Sequence, residues 1–162
     1  MNFKSLTNKF LLGLLFSGMI SLLMLLNGCN GHQGSESQLK ESADSFSNAY
    51  FNWQFKRAVP YVSNSSVVWL RYAASQVHQE DVDSLRKKAQ GASCKINDVN
   101  FNDDDVTATV LVTVKNYLRM DTIGNVASNI DKAVFKLDMK YENNQWKVKM
   151  AGLPRSEKQN HD

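Results

Sequence analysis

The sequence predicts an α+β fold, with N-terminal helices packed on one face of a curved antiparallel sheet. Three observations predict it. Apolar residues recur at three- and four-residue steps from Gln38 to about Ala89. From Ala92 to Met150 the period falls to two. The helical half precedes the strand half without alternation, so the connections that build a parallel sheet are missing. A curved sheet and its helices together form a cone, and a cone is able to leave a cavity.

The first 28 residues stand outside that domain. Lys4 and Lys9 precede an apolar run of 17 residues from Phe10 to Leu26. A basic flank followed by an apolar core reads as a secretory signal peptide. As a helix the run is about 25 Å long, short for a hydrocarbon core of roughly 30 Å. Gly13, Ser17, Gly18 and Ser21 dilute it, and the next basic residue after Lys9 is Lys40. Leu26-Asn27-Gly28-Cys29 resembles the lipobox of bacterial lipoproteins. The resemblance implies cleavage before Cys29, lipid on Cys29, and a domain held outside the cytoplasm at the cell envelope. Two or more acyl chains, each contributing about 0.8 kcal/mol per buried CH2, anchor such a domain durably. Plain cleaved secretion and a retained membrane helix are the alternatives. The chain then divides into a lipoprotein signal peptide (1–28), the lipidated cysteine with a flexible tether (29–37), a single domain (38–153) and a polar tail (154–162).

Composition narrows the function. Removing 28 residues from 162 leaves 134, enough for one core. Loss of Lys4 and Lys9 takes the basic residues from 19 to 17 against 16 acids, a net charge of about +1. That balance does not point to nucleic acid. With Cys29 spent on lipid, Cys94 has no internal partner, and it reads as a small buried hydrophobe.

In the helical half, Leu39, Ala43, Phe46, Ala49 or Tyr50, and Trp53 mark one face of a first helix, with Ser37 as its N-cap. A second helix over 54–62 carries Phe55, Ala58, Val59 and Val62, and Pro60 kinks or breaks it. Ser65 or Ser66 caps a third from Val67 to about Gln76, with Trp69, Leu70, Ala73 and Val77 inward, although Val67, Val68, Leu70 and Tyr72 also fit a short strand. The fourth, Gln79 to Ala89, puts acids first and bases last, as the helix dipole favours. Val82, Leu85 and Ala89 face inward, and Gly91 stops it.

In the sheet half, Cys94 and Ile96 share a parity that Val99 and Phe101 reverse, so a bulge is expected near Asn97-Asp98. Asn102-Asp103-Asp104-Asp105 is a turn; it lacks the spacing, the glycine and the terminal glutamate of a calcium loop. Val106 to Leu118 is a long strand with Val110, Val112, Val114 and Leu118 on the core side and Tyr117 on the other. A polar loop spans 119–130. Asp131 to Tyr141 alternates again, Glu142-Asn143-Asn144-Gln145 turns, and Trp146, Val148 and Met150 close the sheet. Tyr141 and Trp146 flank the turn and pin its register.

Phe46-Ser47-Asn48-Ala49-Tyr50-Phe51, then Phe55-Lys56-Arg57-Ala58-Val59-Pro60-Tyr61-Val62-Ser63, resembles the opening of small bacterial lipoproteins with a nuclear transport factor 2-like (cystatin-like) fold. The closing Trp146-Lys147-Val148-Lys149-Met150 is similar to the end of such domains. The resemblance implies a cone-shaped domain over about Gln38 to Leu153, in a superfamily that spans enzymes, binders and scaffolds. Fold alone transfers no activity.

No phosphate loop, metalloprotease helix, nucleophile elbow or Cys-x-x-Cys is present in the sequence. His32 and His161 read as spacer and tail, and His78 as a helix-end residue. The leading expectation is a noncatalytic, membrane-anchored domain that binds a small apolar ligand or a protein partner, with Tyr50, Trp53, Tyr61, Trp69 and Tyr72 as possible pocket residues. A small dehydratase- or isomerase-type enzyme would need Asp44, His78, Asp121 or Asp138 turned into a cavity. An immunity or inhibitor lipoprotein would instead show an exposed apolar patch. No cofactor or metal is expected.

Overall fold

Ser35 sets the start of the first helix, α1 (Glu36–Phe51): its hydroxyl accepts the Gln38 N–H at 3.1 Å, two residues before the expected cap. Gly34, at φ +72°, turns the chain into that position. The computed structural model describes residues 33–120 and 127–160. Part of the expected tether is taken into the fold, because the Gln33 N–H donates to the Asp105 carbonyl at 3.0 Å. Leu39, Ala43, Phe46 and Ala49 are buried as the periodicity predicts. The Ser42 hydroxyl, also buried, donates to the Trp146 carbonyl at 2.6 Å and ties α1 to the last strand.

The end of α1 is unusual. Gln54 N–H donates to Ala49 C=O and Trp53 N–H to Tyr50 C=O, both at 2.9 Å. This bond pair ordinarily places glycine in the left-handed position. Trp53 occupies it at φ +58°. Its indole N–H donates to the Leu118 carbonyl at 3.1 Å and holds the strained residue in place.

The expected second helix breaks at the proline. The helix α2 is only Phe55–Ala58, and Val59–Tyr61 tightens into a 3-10 turn. Val62 then bridges Val148 in parallel, and Ser63 N–H donates to Val148 C=O at 3.0 Å. Helix α3 is Val67–Ser75, with Leu70 and Ala73 buried. Ser66 does not cap it. Its buried hydroxyl accepts the Met150 N–H at 2.8 Å, and so serves the sheet instead. Helix α4 is Gln79–Lys87. Its expected inward residues Val82 and Leu85 are only half-buried and Ala89 is exposed. The buried residue is Asp81, whose carboxylate accepts His78 N–H at 3.0 Å and Ala127 N–H at 2.9 Å. Lys88 adds bonds to Asn116 and Asn129, so a polar seam holds α4.

The sheet is an antiparallel meander in the order β1 (Ser93–Phe101), β2 (Thr107–Arg119), β3 (Ser128–Glu142) and β4 (Gln145–Lys149). The register slips between Ile96 and Asp98, where the parity change predicts it. Ser128 pairs with Arg119, so β3 begins before the expected end of the 119–130 loop. Asn116, at φ +53°, interrupts the pleat of β2. Tyr117, expected outside, therefore turns into the core, where its ring lies 5.6 Å from Phe51 and 5.5 Å from Phe135. Asn143 and Asn144, at φ +52° and +61°, make the two-residue turn, and Tyr141 and Trp146 meet edge-on at 5.4 Å.

Helix α1 touches all four strands and approaches the outer pair, β1 and β4, most closely, so the sheet curves around it. The described residues form one compact unit with its own core. Past Leu153, where a polar tail is expected, Ser156 bridges Phe135 and is buried.

Gly91, expected as a helix stop, has a packing role. A Cβ there would lie 2.4 Å from Asn52 Oδ1, and the Asn52 amide holds both the N–H and the carbonyl of Ala92. Gly91→Ala displaces that amide and costs about 1–3 kcal/mol. Gly152→Ala, with nothing within 4 Å, is close to neutral. Urea denaturation of the two variants against the parent checks this; equal midpoints would refute the Asn52 role.

Candidate functional site

β4 ends at Lys149, and the chain does not rejoin β3 until Ser156 bridges Phe135. Six residues, 150–155, thus span a gap facing only Lys136 and Leu137. Gly152-Leu153-Pro154 carries the excursion, because proline has no N–H to give a ladder. The result is an open notch at the sheet margin of about 760 Å³. Buried Leu137, Val148 and Met150 make its floor, while Trp69, Met120 and Leu153 are apolar walls. Its rim is cationic: Arg119, Lys136, Lys149 and Arg155 surround one carboxylate, Asp138. Lys136, Lys149 and Arg155 form no ion pair among the described residues, whereas Lys40 and Arg86 are paired with Glu36 and Asp83. The arrangement suits a group that brings negative charge on an apolar body.

A second, smaller space adjoins it. Tyr50, Phe51, Trp53, Phe55, Tyr117 and Phe135 enclose about 60 Å³. Arg119, Met120 and Pro154 line both spaces. That volume holds about two waters, far below the roughly 300 Å³ of a ligand pocket. The rings are instead packed on one another: Phe46 and Tyr50 stack at 5.4 Å and Phe51 and Phe135 meet at 4.5 Å.

The five aromatic residues singled out by sequence do not share one pocket. Tyr50 and Trp53 line the small space. Trp69 lines the notch and meets the exposed Tyr72 edge-on at 6.3 Å. Tyr61 is half-buried and lines neither. Sequence reasoning missed the four rim cations because they come from three separated segments. The signal for them was the parity of Lys136 and Lys149 beside a Gly-Leu-Pro exit. Of the possible general bases, Asp44, His78 and Asp138 are exposed, and Asp121 lies outside the described residues. The described residues contain no cluster of three metal-ligating side chains and no helix long and apolar enough to cross a membrane. Cys29 lies outside the described residues. Comparison with protein-family models, with curated proteins and with solved structures gives no match.

Cys94 and Tyr50 are among the groups that carry a pH signature. Cys94 is half-buried; burial first, then the charge of Asp44, pushes its thiol up to about 12. Burial raises the Tyr50 hydroxyl well above its ordinary 10.0. Both are harder to ionise folded than unfolded. The stabilisation is complete below the unfolded values of 9.0 and 10.0 and is lost as pH rises past them. Urea midpoints are therefore level from about pH 7 to 8 and fall above about pH 9. Cys94 at pH 8 alkylates at least about tenfold more slowly in the folded than in the unfolded chain. Equal alkylation rates would show that the thiol is not shielded.

Proposed function

We propose that this chain is a lipid-anchored protein of the bacterial cell envelope whose single domain is a noncatalytic binder, engaging a protein partner at the notch beside β4. The notch carries the reading: an apolar floor, an open mouth and a cationic rim, three members of which form no ion pair among the described residues. The aromatic space of about 60 Å³ is too small for the apolar ligand that the sequence also allows. Surface beside the notch extends the apolar area. Val68 is 58% exposed and Tyr72 43%, one turn apart on α3 next to Trp69. The same patch favours, as a second reading, an inhibitor or immunity protein that works by surface contact. Helices on the concave side of a bent meander are also what the nuclear transport factor 2-like resemblance implies.

Two experiments test the two halves of the proposal. Cys29→Ala in the cell abolishes processing and releases the protein from the membrane fraction; an unchanged distribution would sink the lipobox reading. A photoreactive residue at Leu153, illuminated in the native cell, gives a discrete adduct that the same residue at exposed Gln79 does not. The adduct's mass separates a protein from a small molecule. No adduct at Leu153, or equal adducts at both sites, removes the notch as the binding site.

A further inference from the structure

The face of the sheet turned away from α1 has no covering element among the described residues, and its chemistry is one-sided. The core side holds Val110, Val112 and Val114 of β2, Phe135, Leu137 and Met139 of β3, and Trp146 and Val148 of β4. Alternation puts their neighbours on the other side. Those neighbours include Lys95 on β1, Lys115 on β2, Lys132, Lys136 and Lys140 on β3, and Lys149 on β4. Lys147 shares the face but donates to the Pro60 carbonyl at 2.5 Å. Only Asp98, Asp138 and Glu142 oppose them.

The register makes this costly. Lys115 stands directly opposite Lys132, and Lys140 directly opposite Lys147. Like charges in facing positions destabilise a sheet. The chain after Cys29 has a net charge of only about +1, so the acids that balance these lysines lie elsewhere. The helices α1 to α4 are neutral as a set, with Glu36, Glu41, Asp44, Glu80, Asp81 and Asp83 against Lys40, Lys56, Arg57, Arg71, Arg86 and Lys87, and Asp103, Asp104 and Asp105 stand in the β1–β2 turn. The open sheet face therefore carries a cationic excess, seven lysines against three acids.

We infer that this face rests on a layer of anionic lipid headgroups. The inference rests on the lipid anchor proposed above for the geometry of approach. Five residues separate Cys29 from Ser35, a reach of roughly 20 Å at full extension. The chain enters the domain beside both hairpin turns: Gln33 bonds Asp105, and the Gln38 side chain donates to the Asn144 carbonyl at 3.3 Å. Lys140, paired with Glu142 at 4.0 Å, and Lys147 sit at that end of the sheet with Asp103, Asp104 and Asp105 of the turn, so the lysines further along the face, Lys95, Lys115, Lys132 and Lys136, carry the attraction. A short tether keeps the lysines where the surface potential is felt, since attraction falls away within about 10 Å. The convex cationic face meets a headgroup plane along its central strands, where Lys115, Lys132, Lys136 and Lys140 stand, and Trp69 and Leu153 remain reachable from the core side of the notch.

The test uses the chain from residue 29 with Cys29→Ser, which carries no lipid and contains the whole folded unit. It is sedimented with vesicles of phosphatidylcholine alone and with roughly one third phosphatidylglycerol. Binding is expected only to the anionic vesicles and is lost at high salt. Lys115→Gln with Lys132→Gln, remote from the notch, lowers the partition coefficient about tenfold or more while leaving the thermal midpoint equal or higher, because a repulsion is removed. Equal binding to both vesicle types, or full binding by the double variant, overturns the inference. Binding to soluble polyglutamate but not to anionic vesicles overturns it in favour of an acidic protein. Because no lipid is attached, the result is independent of the Cys29→Ala outcome, and either reading is able to fail alone.

Discussion

A four-stranded sheet has two faces, and this chain supplies one long helix to cover one of them. A single helix is about 10 Å wide, narrower than four strands set nearly 5 Å apart. The concave face is sealed only if the outer strands bend toward α1. Much of the irregularity in the molecule serves that requirement. The bulge at Asn97 bends β1, and the left-handed Asn116 turns the end of β2 so that Tyr117 closes against Phe51 and Phe135. β4 is drawn in by the Ser42 bond to Trp146, and its outer edge is covered by Val62 and Ser63. The core is closed, and the surface is indented where the closure stops.

The notch is the place where it stops. β4 is five residues long beside a 15-residue β3, so β3 runs on past its partner. Ser66 holds Met150, the first residue past the strand, on one side, and Ser156 recovers the ladder on the other. The gap is thus framed by two serine-anchored points. A surface opening fixed in this way presents its cations at set positions. The domain is therefore differentiated by side: a filled aromatic interior, an indented margin, and a charged outer sheet.

Period and parity were legible in the sequence; long-range polar contacts were not. Alternating valines located β2, the parity switch located the bulge, and Asn143-Asn144 located the turn. Each of these is a local property of a few neighbouring residues. Ser66, Asp81 and Gly91 were assigned local roles as a cap, a dipole charge and a helix stop. Each instead meets a backbone or side chain many residues away: Met150, Ala127 and Asn52. Helix α4 has a convincing acidic-to-basic pattern, but it is docked by a carboxylate and a lysine, so its apolar stripe was a poor guide to burial. The candidate site was legible only in part. Trp69 was named for its ring, but the cations around it come together only because the chain leaves the sheet at Met150.

Trp53 gives the helix end a mechanical character. A tryptophan holds a backbone angle that suits glycine, and the bond from its indole to Leu118 offsets that strain. Arg119 and Met120 follow Leu118 directly and form the wall between the small aromatic space and the notch. The last turn of α1 and the wall of the notch are therefore joined twice over, by the indole bond to Leu118 and by the Phe51 ring on Tyr117, so a side chain at the end of a helix sets the position of a surface opening.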